Sequence, residues 1–145
     1  MLRRVLAALV PGALAVLAAC AGGDEEQRPP DHLEEQVVRL DSSLAARLPE
    51  GATLEMAEEG RRLFVVCAVC HGLDAGGTHF GSSLRDAEWN AISGELEEIE
   101  AVVRSGTGAT EDYPIPMPVM GGGDFTEAQL RALATYVFVI SRGEP

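Results

Sequence analysis

Residues 67–71 read "CAVCH": two cysteines stand three positions apart, and a histidine follows the second directly. Two thiols at positions i and i+3 of a helix lie on the same side, and the adjacent histidine ring can turn towards whatever they hold. This spacing is the pattern of covalent haem attachment, in which the thiols add to two vinyl groups and the imidazole ligates the iron. The stretch therefore predicts a covalently bound haem.

Three other uses of a CxxC pair fit this chain less well. A thioredoxin-like redox pair needs a surrounding βαβ pattern, which the sequence lacks. A tetrahedral zinc site needs two further ligands, and with Cys20 assigned to the N-terminal signal described below, only His32 and His79 remain. A disulfide between the paired cysteines would be strained at this helical spacing.

Three stretches carry the signals of helices. Thr53 can cap a helix that runs through "RRLFVV" to the cysteine pair. The stretch "SGELEEIEAVVRSG" has Gly106 just past its end and three apolar residues on one face: Leu96, Ile99 and Val103. In "FTEAQLRALATYVFVI", Thr126 and Gln129 have the spacing of a capping box. Because no alternating strand pattern competes with these signals, the sequence predicts an all-α fold.

Three separated motifs, in the same order, resemble those of class I (mono-haem) cytochromes c. "GRRLFVVCAVCHG" is similar to the family's first helix and haem motif, with Gly60 and Phe64 at the positions that pack against the last helix. "LRALATYV" resembles that last helix, with Leu133 and Tyr136 at its packing positions. "IPMPVMGG" resembles the loop that supplies the second axial ligand. The resemblance covers residues 53–142.

The resemblance implies a small domain of three to four helices wrapped round one covalently attached haem c. It makes Cys67 and Cys70 the thioether attachments, His71 the proximal iron ligand and Met117 the distal one. Met120 is the alternative distal ligand. We favour Met117 because the prolines of "PIPMP" pre-set an extended backbone, whereas three glycines follow Met120.

Four further residues bear on the resemblance. The family commonly has proline in the loop after the haem histidine, where a backbone carbonyl accepts the Nδ1 proton, and here Ser82 stands at that place. Trp89 resembles the family's aromatic residue near the haem propionates, although packing against the loop is an equal interpretation. His79 is a second alternative for the distal ligand. Met56 precedes the motif and is predicted to be a buried residue of the first helix.

Residues 1–19 have the layout of an export signal peptide: Arg3 and Arg4, an apolar run, and small residues at the end. The apolar run is fifteen residues long, against roughly twenty needed to span a membrane. The tetrad "LAAC" resembles the bacterial lipobox, whose cysteine becomes the lipid-modified first residue. This resemblance implies lipid attachment at Cys20 and a periplasmic or extracytoplasmic protein anchored to a bacterial membrane.

The remaining chain divides into two predicted parts. Residues 20–50 follow the signal as a predicted flexible tether, because residues 21–30, "AGGDEEQRPP", are mostly polar residues, glycine and proline. Five apolar residues recur there at helical spacing and predict either a short helix at 31–48 or a partly ordered linker: Leu33, Val37, Leu40, Leu44 and Leu48. Residues 51–145 form the predicted cytochrome c domain.

The acidic charge of the chain limits its partners. The formal net charge of the 145 residues is −12, and it becomes −14 without residues 1–19, which hold two arginines and no acid. Such a surface repels nucleic acid and anionic lipid headgroups. The favoured partners are therefore redox proteins with a basic docking face.

The ligand set that the resemblance implies also indicates a function. Thioether and methionine sulfur favour reduced iron, and two axial ligands leave no open position for a substrate. The implied function is the transfer of single electrons between respiratory or other redox proteins, by a carrier rather than an enzyme. Two alternatives stay open: a haem-binding subunit of a larger oxidoreductase complex, and a five-coordinate haem sensor or catalyst.

Overall fold

The computed structural model describes residue 33 and residues 36–142, apart from residues 87 and 90. This part of the chain contains five α-helices and one short 3-10 segment and has no β-strand: α1 (Ser42–Ala45), α2 (Leu54–Leu63), α3 (Val65–His71), α4 (Leu96–Ser105), the 3-10 segment Val119–Gly122, and α5 (Glu127–Ser141). The all-α prediction is confirmed. None of these helices is long and apolar enough to cross a membrane. The predicted signal peptide at 1–19, Cys20 and His32 lie outside the described residues.

Helices α2 and α3 form an almost continuous rod that carries the cysteine pair. The Thr53 hydroxyl caps α2, as predicted, by accepting a hydrogen bond from the Met56 N–H at 3.2 Å. The rod is interrupted at Phe64, whose carbonyl accepts hydrogen bonds from both Cys67 N–H and Ala68 N–H, at 2.8 and 2.9 Å. The predicted single helix is thus two helices joined at one residue.

The crossing of α2 and α5 forms the centre of the core. A methyl group on Gly60 would collide with the carbonyl oxygen of Ala132 and lie 2.8 Å from Cβ of Tyr136. The two helices therefore approach with only a hydrogen atom between them at this point. One turn further, the rings of Phe64 and Tyr136 pack with their centroids 5.3 Å apart at an angle of 60°.

Helix α4 packs beside α5 through the apolar face that the sequence predicts. Leu96, Ile99 and Val103 are buried, and Gly106 ends the helix with φ +69°. The predicted capping box of α5 is present, because Thr126 and Gln129 bond to each other's backbone N–H groups. Ion pairs join the two helices: Arg104 with Glu127, and Arg131 with Glu97 and Glu100.

The segment before Gly51 packs against the last helix. Val37 is 1% exposed and belongs to the core cluster. The hydroxyl of Tyr136 donates a hydrogen bond to the carbonyl of Val38 at 2.8 Å. Within residues 31–48, the described residues include Leu33, which is helical, and the single turn α1, which Asp41 caps by accepting hydrogen bonds from the Ser43 and Leu44 N–H groups.

Candidate haem site

One large cavity lies between α3, α4, α5 and the loops that connect them. Its volume is about 660 Å³, within the range of roughly 300–1,000 Å³ that is usual for cofactor sites. Side chains from all three helices line it, among them Cys67, Ile99 and Val137. We call this the main cavity. Its apolar lining suits a large, flat and mostly apolar group.

The two cysteines of the motif both line the main cavity and are free thiols. Cys67 is only 7% exposed, and Cys70 is partly exposed. Burial, together with the neighbouring Cys70, raises the pKa of the Cys67 thiol to about 12. The thiol is therefore neutral at physiological pH, and it can lie against an apolar ligand edge without the cost of a buried charge.

His71, the last residue of α3, also lines the main cavity, and its ring orientation is fixed by one hydrogen bond. Its Nδ1 lies 2.8 Å from the carbonyl oxygen of Ser82, which can only accept, so Nδ1 carries the proton. Nε2 is then left with the lone pair that a metal needs. Burial lowers the pKa of His71, which favours the neutral ring. Ser82 takes the role of carbonyl acceptor that the sequence allows for it.

The loop after α3 is held close to the histidine by its backbone. A methyl group on Gly81 would lie 3.1 Å from both Nδ1 and Cε1 of His71, closer than ordinary contact. The Thr78 hydroxyl donates to the carbonyl of Cys70 at 2.5 Å. These contacts bring the Ser82 carbonyl within reach of the ring.

Met117 lines the main cavity, whereas Met120 is not among the described residues that do. The carbonyl of Met117 accepts a hydrogen bond from the Thr107 N–H at 3.0 Å. This contact depends on Gly106, because a methyl group there would overlap the same carbonyl. Met120 lies in the 3-10 segment with φ +55° and packs partly buried against the core.

The other residues singled out in the sequence lie in three different environments. His79 is exposed, packs against Phe80 with a centroid distance of 3.7 Å and an angle of 44° between the rings, and is not among the described residues lining the main cavity. Trp89 does line it, and Gly94 leaves room for the indole, since a methyl group there would overlap it. Met56 is half-buried, and its sulfur accepts a hydrogen bond from the Thr135 hydroxyl at 3.4 Å.

Sequence reasoning missed the loop residues that complete the cavity wall. Thr107, Tyr113 and Ile115 all line it, on the loop between α4 and the 3-10 segment. The only available signal was the loop's composition, rich in glycine and proline. Composition indicates that a loop can wrap a ligand, but it does not single out which side chains face one.

Comparison with protein families assigns most of the helical domain. Residues 55–137, which are 83 of the 145 residues, match the family described as cytochrome C oxidase, cbb3-type, subunit III. The chain belongs to this family. Its residues 55–137 are thus a cytochrome c domain, similar to the mono-haem class I type. Comparisons with curated proteins and with solved structures give no match.

A cytochrome c domain of this family binds a covalently attached haem c and transfers electrons through it. The main cavity fits this group in both size and chemistry. It offers a pair of free thiols, a neutral imidazole with a fixed tautomer, and a methionine within one apolar enclosure. The resemblance found in the sequence is therefore confirmed at the level of family, fold and cofactor.

Proposed function

We propose that this protein is a mono-haem electron carrier in which Cys67 and Cys70 form the thioether bonds and His71 and Met117 are the axial ligands. The observation that carries the proposal is that these four side chains line one cavity. Neither His79 nor Met120 is among the described residues that line it. Bound haem c would supply a one-electron iron couple, and the chain would hold the ligands and exclude water.

The protein's own contribution is to hold two ligands with little freedom of movement. The Ser82 carbonyl fixes the His71 ring through Nδ1, and the Thr107 N–H fixes the backbone of Met117. A rigid ligand pair reduces the reorganisation that accompanies a change of charge. The apolar lining excludes water and, together with a methionine ligand, favours the reduced form.

The opening of the main cavity is suited to a basic partner. Phe80 and Ile115 line the cavity and are 41% and 51% exposed, so they supply apolar contact area. Glu88 and Asp112 also line it and are exposed. No arginine or lysine is found among the described lining residues. A small transient contact with a positively charged redox protein is the arrangement that this surface favours.

We further propose that a lipid on Cys20 holds the protein at the extracytoplasmic face of a bacterial membrane. The support is the "LAAC" tetrad at the end of an export-like segment. Growth with a radiolabelled fatty acid tests this. The label should enter the unchanged protein and be absent from Cys20→Ser, while both bind haem.

Redox titration of the purified holoprotein, combined with exposure to carbon monoxide, tests the carrier proposal. We expect one electron per chain and no binding of carbon monoxide by the reduced protein, because both axial positions are filled. Rapid binding of carbon monoxide would show an open iron position. That result would contradict the carrier proposal and favour the five-coordinate sensor or catalyst.

The family description favours a second candidate, a haem-bearing subunit of a larger oxidoreductase complex, because the matched family is named for an oxidase subunit. Purification decides between the two. A free carrier should leave the membrane with detergent as a single chain at full haem content. Co-purification with other redox subunits at fixed stoichiometry would support the subunit role.

A further inference from the structure

A second, polar cavity lies where the segment before Gly51 meets the end of α5. Its volume is about 260 Å³, and it shares no lining residue with the main cavity. Three arginines line it, together with Asp41, Ser43 and Ile140: Arg39, Arg47 and Arg85. We call this the arginine pocket. It brings together residues from α1, the stretch before it, and the loop after α3.

The charge of the arginine pocket is opposite to that of the protein. Arg47 and Arg85 alone, set against Asp41, give its lining a formal excess of one positive charge, in a chain whose net charge is −12. Arg62 and Arg142, in contrast to Arg85, lie against the carboxylates of Glu59 and Glu95. A local positive excess on an acidic protein points to a negatively charged ligand.

The contacts around the pocket leave donors available for such a ligand. The carboxylate of Asp41 is engaged at the start of α1, where one of its oxygens accepts hydrogen bonds from the Ser43 hydroxyl and N–H at 2.6 and 2.8 Å. Arg85 forms no ion pair with any residue that the structure describes. Its guanidinium therefore keeps five N–H donors in a planar fork.

A hydrogen bond to the end of α5 fixes the orientation of Arg47. Its guanidinium donates to the carbonyl of Arg142, just past the end of α5. This bond satisfies a helix-terminal carbonyl and fixes the arginine next to Ile140, with other N–H groups still free to bind. One anchored and one unpaired guanidinium in a pocket of this size suit a tetrahedral oxyanion, which accepts hydrogen bonds on several oxygens.

We propose that the arginine pocket binds a phosphate group, with Arg47 and Arg85 as its principal donors. Two sources supply this chemistry: free inorganic phosphate and the phosphodiester of a lipid headgroup. The second source rests on the proposed lipid anchor. Seventeen residues, 21–37, would then separate Cys20 from Val38, the first residue of the pocket lining, and a chain of this length reaches at most about 60 Å when fully extended. The pocket would thus remain near the membrane surface.

Calorimetric titration of the full-length holoprotein with inorganic phosphate, against chloride at matched ionic strength, tests the proposal. We expect saturable binding of phosphate that Arg85→Gln weakens about tenfold or more. Arg62→Gln is the matched control, because it removes the same charge from an exposed arginine outside the pocket. Absence of saturable binding, or equal weakening by both variants, would overturn the proposal.

Competition between lipid vesicles and free phosphate identifies the source of the phosphate group. Phosphatidylcholine vesicles that compete with free phosphate would identify the lipid headgroup, whereas phosphate binding that vesicles leave unchanged would identify a soluble phosphate. Either result supports a phosphate site.

The haem spectrum serves as the control. Arg85→Gln should retain the visible spectrum and reduction potential of the unchanged protein, so loss of phosphate binding with an intact haem spectrum concerns this pocket alone.

Discussion

The hydroxyl of Tyr136 donates to the carbonyl of Val38 across 98 residues of sequence, and this bond joins the segment before the haem domain to the last helix. The same tyrosine packs its ring on Phe64. A side chain at the central helix crossing therefore also holds the N-terminal segment in place. This position is where the stability of the fold is most directly tested.

Tyr136→Phe should lower the free energy of unfolding by about 0.5–1.5 kcal/mol. The ring contact with Phe64 is kept, whereas the Val38 carbonyl loses its donor. Chemical denaturation of the two holoproteins measures the difference. An equally stable variant would show that the hydroxyl bond contributes nothing to stability.

The same tyrosine should make stability depend on alkaline pH. Burial raises the pKa of Tyr136 above its ordinary value of 10.0. The unfolded chain releases the phenol proton first, so the contribution of this group is present below about pH 10 and is lost as pH rises above it. The chain contains no lysine, which leaves few other groups titrating in this range.

Denaturation midpoints measured between about pH 8 and pH 11 check this dependence, because this range brackets the ordinary tyrosine pKa of about 10. The unchanged protein should lose stability more steeply than Tyr136→Phe at the alkaline end. Parallel curves for the two proteins would contradict the assignment to Tyr136.

Gly60→Ala should destabilise the fold although alanine is the better helix former. The new methyl group would collide with the Ala132 carbonyl and lie 2.8 Å from Cβ of Tyr136, and overpacking of this kind costs about 1–3 kcal/mol. The adjacent Glu59→Ala is the control, since that side chain is 44% exposed. A Gly60→Ala protein as stable as this control would show that α2 and α5 can separate without cost.

Gly106→Ala should displace Met117, the proposed distal ligand, through its backbone rather than through its sulfur. The residue has φ +69°, and a methyl group would overlap the Met117 carbonyl and lie 2.9 Å from the carbonyl carbon of Pro118. We expect a weaker sulfur-to-iron absorption band and a lower reduction potential. Ala109→Ser, an exposed position in the same loop, should leave both unchanged. Identical spectra for Gly106→Ala and the parent would contradict the positioning role of this turn.

The sequence predicted the features that depend on local pattern. The Thr53 cap, the Thr126 capping box and the buried face of α4 follow from spacing alone, and the structure contains all of them. The close approach at Gly60 followed from the family resemblance, which carries information about distant packing.

Other features could not be predicted because they depend on contacts between distant parts of the chain. The break of the helix at Phe64 was not predicted, because the sequence indicated one continuous helix, whereas the contact of its ring with Tyr136 followed from the family resemblance. The burial of Val37 depends on the packing of its segment against the domain, whereas the spacing of its apolar residues left a short helix and a partly ordered linker both open. Likewise, Arg47 and Arg85 are 38 residues apart in sequence, and only the fold brings them to one pocket.

The visible spectrum of the oxidised holoprotein, compared with those of Met117→Ala and Met120→Ala, tests the central claim most directly. The two methionines lie three residues apart, but only Met117 is among the described residues lining the main cavity. We predict that the weak sulfur-to-iron band at the red end is present in the unchanged protein, lost in Met117→Ala and retained in Met120→Ala. Loss of the band in Met120→Ala with retention in Met117→Ala, or its absence from the unchanged protein, would contradict the proposed ligand set.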